Sequence, residues 1–434
     1  MLAEKIEDLL KERNIFLTGG GGVGKSYLTK ELVKRAKKRG EGVVVLGSTG
    51  VSAVNVEGQT IHSFFAFGIS GSLEELQKHD RYVKKRVKEL KKILSKCDLL
   101  VIDEISMVSA SLLDMIHYRL RNGGFEGRVL FVGDFFQLPP VFKRDTNSLL
   151  GDSEYAFESS SWDFFEPLIV ELTKTKRTED REFFKILNKL RWGEMDDELI
   201  EYFNMLKNHT TSKDATFLYG RNAEAQKMNL VRLKELEQEP VLIKANEKEH
   251  IKSLHVKRIE SWKNSLPVPC DLTLKIGAKV LFCTNKWGKY YNGERGIVRD
   301  IADDYIVVEK ENSLVKVERQ EYTMSENIVL NGEIEEKPLY SVEQFPLKLA
   351  YAITIHKSQG MSIDELTCNI DNIFEKSQFY VALSRAKNPK KLSIYFSRGD
   401  FTRYLRSIIR VSPKVTQFYQ NSEVIKIEEE NVDI

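Results

Sequence analysis

The chain has 434 residues, 41% hydrophobic and 30% charged, with a formal net charge of +2. This length predicts two to four domains rather than one core, and the composition excludes a disordered, collagenous or disulfide-dense protein. A charge balance so near zero gives no argument for nucleic acid by itself, so any such function must come from local groups.

The opening "MLAEKIEDLLKERN" has helical spacing and lacks the charged-then-apolar pattern of a secretion leader, and no apolar run reaches membrane-spanning length, so a cytoplasmic protein without a membrane partner is expected. The four cysteines, Cys97, Cys270, Cys283 and Cys368, form no C-x-x-C pair, which points to neither a disulfide framework nor a zinc site.

An apolar strand, "NIFLTGG", then runs into a glycine loop and a helix, "SYLTKELVKRAKKRG". Gly19, Gly20, Gly21, Gly22, Val23, Gly24, Lys25 and Ser26 match G-x-x-x-x-G-K-[ST], with Tyr27 following. Composition alone yields this pattern in only about one or two chains per hundred of this size, so the match is informative. Glycines let backbone N–H groups turn onto phosphates, Lys25 reaches the β and γ phosphates, and Ser26 is placed to ligate Mg²⁺. ATP and Mg²⁺ are therefore the expected ligands.

The β-rich "GVVVLGS" and the all-apolar "CDLLVIDE" continue the pattern, with "GRVLFVGD" after them. Buried strands alternating with helices predict a parallel sheet covered on both faces. Asp103 ends one strand, where it can hold a metal shell, and Glu104 beside it can orient or deprotonate water. Gln137 in "VGDFFQLPPV" carries an amide able to bond both a γ-phosphate and an attacking water. Between "GVVVLGS" and "CDLLVIDE", "QKHDRYVKKRVKELKKILSKC" reads as a basic helix with Val83, Val87, Leu90 and Leu94 as its apolar stripe; a solvated face explains the lysines without further function.

A second series opens at "LIVELTKTKR" and includes the amphipathic helix "REFFKILNKLRWGE", the strand "DATFLYGRN" and the late strand "LSIYFSRGD". Within it lies a stretch of short alternating strands with an Asn-Gly turn at Asn292 and Gly293, which predicts a small β-barrel-like insertion. The tail "SEVIKIEEENVDI" is acidic and reads as peripheral. Arg177 and Arg385 are candidates to close a phosphoryl-transfer site, although spacing alone cannot select them. Thr-Ile-His occurs twice, at Thr60–His62 and Thr354–His356, a repeat that chance explains equally well.

Taken in order, "GGGGVGKS", "GSTGVSAVNVEGQTIHSFF", "LLVIDEISMVSA", "VGDFFQLPPV", "YAITIHKSQGMS" and "QFYVALSRAK" resemble the Pif1-like branch of superfamily 1 DNA helicases, a family related to the RecD and Dda helicases. The six motifs spread over residues 15 to 387. The resemblance implies an α/β fold of two tandem RecA-like parallel-sheet P-loop lobes, with ATP between them and single-stranded DNA across their top. Each lobe carries an inserted subdomain, the second SH3-like. On this pattern 1–63 and 96–170 form lobe 1A, 64–95 a basic wedge 1B, 171–265 and 344–412 lobe 2A, 266–343 the insertion 2B, and 413–434 a tail.

The resemblance assigns the nucleotide to Gly24, Lys25, Ser26, Asp103, Glu104, Gln137, Arg177, Gly360 and Arg385. DNA contacts carry over to Thr49, Gly50, Val51, His62, Phe64, Phe135, Pro139, His356, Lys357 and Ser358, with Asn222 as an added amide. Hydroxyls, backbone N–H groups and histidines suit phosphates, and aromatic rings suit base stacking. The implied activity is ATP-dependent 5′–3′ unwinding by a functional monomer on tailed or forked duplexes, in DNA repair, recombination, replication or telomere maintenance. G-quadruplexes and RNA–DNA hybrids are further compatible substrates. A DNA-stimulated ATPase that translocates without unwinding, or a signalling NTPase, are the competing readings. No Gln stands in the opening helix, where the family keeps its adenine-recognising glutamine.

Overall fold

The computed structural model describes residues 2–140, 154–212, 215–251, 254–310 and 313–427. They divide into two compact units: Met1–Lys174 with Met324–Leu339 and Ser412–Ile434, and Thr175–Thr323 with Tyr340–Val411.

The first unit is built on Ile15–Thr18 (β1), whose four residues are all buried. Alternation sends its side chains to opposite faces. Ile15 and Leu17 enter a core with Ile6 and Leu10 of the opening helix and Leu28, Leu32 and Ala36 of the helix Lys25–Lys38. Phe16 faces the other way, against Phe135 at 5.1 Å and Trp162 at 5.5 Å. Each fully buried apolar side chain contributes about 1.5–3 kcal/mol, which is why a strand of four residues can hold the centre of a sheet.

Around it stand Val43–Gly47 (β2), Gln59–Thr60 (β3), Leu99–Asp103 (β4), Arg128–Val132 (β5) and Leu168–Leu172 (β6). With the C-terminal strand Val424–Ile427 they form one seven-stranded sheet, in the order C-terminal strand, β6, β1, β5, β4, β2, β3. Every pairing is parallel.

Two expectations change here. The strand in "LIVELTKTKR" belongs to the first sheet, because β6 pairs with β1 from Ile15↔Leu168 to Thr18↔Glu171. The tail is not peripheral over its described part: Pro413–Asn421 is a helix that buries Val415 and Tyr419, and Val424–Ile427 adds to β6. Apolar residues among the charges, Phe418, Tyr419 and Val424, supply the packing that the acidic composition obscures.

The basic segment forms two helices, Leu73–Asp80 and Lys84–Leu94, not one. Leu90, Ile93 and Leu94 are buried and the lysines point outward. The first helix is tied down by Arg119, 3% exposed, whose guanidinium donates to both Asp80 oxygens at 2.6 Å and to Phe65 O at 3.0 Å. Residues Met324–Leu339, the distal part of the paired strands Gln320–Leu330 and Glu333–Gln344, also belong to this unit, and Gln59 Nε2 donates to Asn327 Oδ1 at 2.8 Å.

In the second unit a four-stranded parallel sheet has the order Ala352–Thr354, Thr216–Tyr219, Leu366–Asn369, Leu392–Tyr395. The expected β-rich insertion is present as a five-stranded antiparallel sheet, Ser313–Glu318, Tyr305–Lys310, Arg295–Ile301, Lys279–Phe282 and Leu347–Leu349. Its core gathers Val280, Phe282, Tyr290, Val298, Ile306, Val308 and Val317. Gly293 takes φ +90°, as the Asn-Gly turn requires. Among the described residues no helix is long and apolar enough to cross a membrane.

Candidate active site

Because the first sheet is wholly parallel, its strands deliver their following loops to one carboxyl edge, where ligands of open α/β sheets bind. β1 delivers the glycine loop, β2 the Thr49 turn, β4 the Asp103–Glu104 pair and β5 the Asp134–Gln137 turn.

After Thr18 the chain turns through Gly19, Gly22 and Gly24 at φ +138°, +86° and +93°. Gly19 is dictated by its neighbour: a Cβ there would lie 2.4 Å from Leu172 O on β6. Gly24 sits at the N-cap of the helix Lys25–Lys38 with no side-chain cap. Lys25 Nζ donates to Gly19 O at 2.6 Å and Gly20 O at 3.1 Å, so the ammonium lies over the loop. Val23 is 5% exposed and serves the core, whereas Tyr27 is 80% exposed.

Asp103 is buried at the end of β4, and its carbonyl accepts from Ser48 N at 3.3 Å, linking it to the end of β2. Burial and the neighbouring Glu104 raise its pKa, with Lys25 and Lys30 acting the other way. Glu104 adopts φ +53°, an uncommon conformation for a non-glycine residue, at the point where the chain leaves the strand. Two adjacent carboxyl groups, one disfavoured as an anion by its surroundings, suit a divalent cation, and the Ser26 hydroxyl is the neutral oxygen donor this hard ion accepts. Gln137 is buried, with its N–H bonded to Asp134 O at 2.8 Å in a tight turn.

The DNA candidates of this unit divide by exposure. Thr49 caps the helix Gly50–Asn55, accepting from Ser52 N at 3.1 Å, and so presents Gly50 and Val51 at a helix start. His62 is exposed. Phe64 and Phe135 are each 1% exposed, and Pro139 is buried as well. Base stacking by these two rings is therefore corrected: Phe64 packs on Phe65 at 4.9 Å, and Phe135 packs among Phe16, Tyr155, Phe157, Trp162 and Phe418. The sequence could not separate a stacking platform from a core aromatic, since both are Phe in a short segment after a strand.

The repeated tripeptide has one local structure. Thr60 ends β3 and its Oγ1 accepts from Ser63 N at 3.3 Å; Thr354 ends its strand and accepts from Lys357 N at 3.3 Å. Ile61 and Ile355 are buried beneath, and the histidines follow on the outer side. Each copy is thus a strand end whose threonine caps the next turn, a job that Thr does well.

In the second unit the structure brings together two arginines that are distant in sequence. Arg177 donates through Nε to Ser362 Oγ at 2.8 Å and through a terminal nitrogen to Ser384 O at 2.6 Å. Arg385, 2% exposed, donates to Val381 O at 3.0 Å, Ser384 Oγ at 2.9 Å and Ser358 O at 3.3 Å. Burial and Arg385 both lower the pKa of Arg177. Ser362 and Ser384 are the positioning residues that sequence reasoning missed, since a lone Ser carries no signal.

His356 lies 3.3 Å from Glu375 Oε2, Lys357 is exposed, and Gly360 takes φ +75°. The Ser358 hydroxyl is fully buried and donates to Ile355 O at 2.7 Å, so it holds the turn together. Asn222 is exposed at the first position of the helix Asn222–Lys234.

A phosphate loop and a carboxylate pair on one parallel edge, with a second parallel sheet bearing an arginine pair, is the architecture of a P-loop nucleotide hydrolase with two sheet-based units. Residues 4–200 match the family of PIF1-like helicases. The chain is 41% identical to an ATP-dependent DNA helicase Pif1 of Campylobacter jejuni, over 98% of each chain. Of solved structures, Bacteroides Pif1 in complex with ADP-AlF4 has a TM-score of 0.82 at 30% identity, covering 96% of this chain and 95% of that one. Bacteroides Pif1 bound to ssDNA has a TM-score of 0.63 at 31% identity, with the same coverage. The chain belongs to the PIF1-like helicases, and its two parallel sheets are RecA-like lobes.

Proposed function

We infer that this chain is an ATP-dependent DNA helicase that tracks along single-stranded DNA from 5′ to 3′ and separates duplex ahead of it. The observation that carries the inference is the convergence of Gly19–Ser26, Asp103–Glu104 and the Gln137 turn on one carboxyl edge, in a chain that matches DNA helicases over nearly its whole length.

Lys25 and the loop N–H groups bind the β and γ phosphates of ATP. Ser26 and Asp103 would hold Mg²⁺, which would supply positive charge against the phosphates. Glu104 orients and deprotonates the attacking water, and Gln137 bonds it from the neighbouring turn. Arg177 and Arg385 supply positive charge to the transferring phosphoryl group; Gly360 lets the backbone approach it. Thr49, Gly50, Val51 and His62 in the first unit, and Asn222, His356 and Lys357 in the second, hold DNA through phosphates, which carries no sequence preference. Opening one base pair costs about 1.4 kcal/mol of stacking, within reach of one ATP. A monomer acting on tailed or forked duplexes in genome maintenance, with the segment 64–95 as wedge and an SH3-like insertion narrower than the expected 266–343, since Met324–Leu339 joins the first unit, completes the reading.

Duplexes with a 5′ or a 3′ single-stranded tail test activity and polarity together. Unwinding confined to the 5′-tailed duplex is expected; hydrolysis stimulated by DNA with neither duplex opened removes the helicase activity, and unwinding of the 3′-tailed duplex alone reverses the polarity.

A further inference from the structure

The seven-stranded sheet is completed by residues that come after the whole second unit, and one of them reaches its centre. Tyr419, on the helix Pro413–Asn421, is 7% exposed. Its phenol oxygen lies 2.7 Å from Thr18 Oγ1, and the Phe135 N–H donates to it at 3.3 Å. Because the phenol oxygen is the acceptor toward Phe135, its own proton is available for Thr18. Its ring stacks on Phe136 at 4.8 Å with 12° between planes.

These partners have functional positions. Thr18 is the last residue of β1, directly before Gly19 of the phosphate loop. Phe135 and Phe136 are the two residues inside the turn that ends in Gln137, a turn otherwise closed by Gln137 N to Asp134 O at 2.8 Å and Phe136 N to Asp134 Oδ1 at 3.2 Å. One hydroxyl therefore joins the start of the phosphate loop to the turn carrying the proposed water-sensing amide. β1 and β5 are neighbours in the sheet, but the strand pairing between them runs only from Ile15↔Leu130 to Leu17↔Val132. Gly133 N still donates to Leu17 O at 3.1 Å, and Tyr419 joins the residues that follow on each side, Thr18 and Phe135.

The helix bearing Tyr419 is firmly placed. Phe418 stacks on Phe157 at 4.4 Å and meets Phe135 edge-on at 5.5 Å, and at Val424, five residues after Tyr419, the chain enters the sheet beside β6. Thr18 is fully buried and the rings of Phe135 and Phe136 are 1% and 0% exposed, so water does not substitute readily for the phenol.

We propose that Tyr419 is a positioning residue that couples the nucleotide loop to the Gln137 turn, so that DNA engagement is transmitted to ATP hydrolysis through its hydroxyl. This rests on the reading of the chain as a DNA-stimulated ATPase. Tyr419 touches neither substrate; it acts through the backbone of Phe135 and the side chain of Thr18. A buried hydroxyl shared between two loops makes their positions interdependent, and removing it leaves each loop folded with its own bonds but free to settle separately.

The test is a double-mutant cycle on the ratio of DNA-stimulated to basal kcat, using oligothymidine as the DNA. Tyr419→Phe keeps the ring and its stacking and removes only the hydroxyl; Thr18→Val removes the partner with little change in shape. Each is expected to lower the ratio about fivefold, the low end of site–site couplings. The double variant should be no worse than Tyr419→Phe alone, because that change already removes the bond to Thr18 together with the one from Phe135 N. Thr18→Ser, which keeps the hydroxyl, should retain the wild-type ratio, a rescue that a purely structural role does not predict. Thermal unfolding of each variant is followed alongside.

An unchanged ratio in Tyr419→Phe or Thr18→Val overturns the proposal, as do additive losses in the double variant. Basal and stimulated rates that fall in parallel with the melting temperature show that Tyr419 serves stability alone, which also overturns it. If wild-type protein itself shows no stimulation by DNA, the failure lies in the functional reading and not in the role of Tyr419.

Discussion

Gly19→Ala separates the demands of the phosphate loop from those of an ordinary helix end. The residue has φ +138°, and an added Cβ meets Leu172 O at 2.4 Å and Val23 Cγ2 at 3.0 Å. Leu172 cannot step aside, because β6 is paired to β1 on one side and to Val424–Ile427 on the other. The backbone conformation costs about 1–3 kcal/mol for alanine, and forcing a methyl into a packed contact costs about 1–3 kcal/mol more. A total of about 4 kcal/mol corresponds to a fall of about 10 °C in the melting temperature of a unit of this size. Gly40→Ala is the control. It lies at φ +80° just past the helix Lys25–Lys38 with nothing within 4 Å of a Cβ, so it carries the conformational cost without the clash. That cost is about 1–2 kcal/mol, or a fall of about 3–5 °C. Scanning calorimetry with parallel ATPase assays reads both: Gly19→Ala should lose most turnover and the larger share of stability, Gly40→Ala only the smaller share. Equal melting temperatures for the two variants, or full turnover in Gly19→Ala, would refute the argument that the Leu172 carbonyl dictates glycine.

Glu104→Gln should keep ATP binding, measured by calorimetric titration, while turnover falls about 10²–10⁴-fold, the range for a lost general base; Lys25→Ala should lose turnover as well. Ser362→Ala removes the Nε partner of Arg177 at 2.8 Å, a bond to a charged group contributing about 1.5–3 kcal/mol. Steady-state kinetics should show kcat down about tenfold or more with KM for ATP little changed, and Arg177→Lys should not substitute for the planar guanidinium. Thr60→Val and Thr354→Val each remove a cap of about 1 kcal/mol and should weaken DNA-stimulated ATPase more than basal ATPase. Serine at either position should restore it, and a stimulated rate untouched by both valine variants returns the repeated tripeptide to coincidence.

Much of the site was legible because its chemistry is local. The loop Gly19–Ser26 places the proposed phosphate ligands within eight consecutive residues, and "LLVIDE" announces a buried strand ending in carboxylates. The histidine turns at Thr60 and Thr354 were marked by a repeated tripeptide whose common cause, a threonine cap, is a three-residue interaction. Phe64 and Phe135 were misjudged for the opposite reason: whether a ring faces solvent or core depends on what the rest of the chain lays over it.

Periodicity and motif spacing determined that strands alternate with helices, that the first such unit carries a phosphate-loop motif, and that a β-rich segment interrupts the second, since each follows from spacing within one element or between neighbours. Only the tertiary structure decided that β6 belongs to the first sheet, that Arg177 and Arg385 converge on Ser384, and that the tail supplies a strand and a buried Tyr419. Those relations join residues up to 401 positions apart, Thr18 and Tyr419 being the extreme. No local pattern encodes such a pairing. It exists because parallel strands must be brought together from distant parts of the chain, and each new neighbour is chosen by the apolar surface and open hydrogen bonds left on the last.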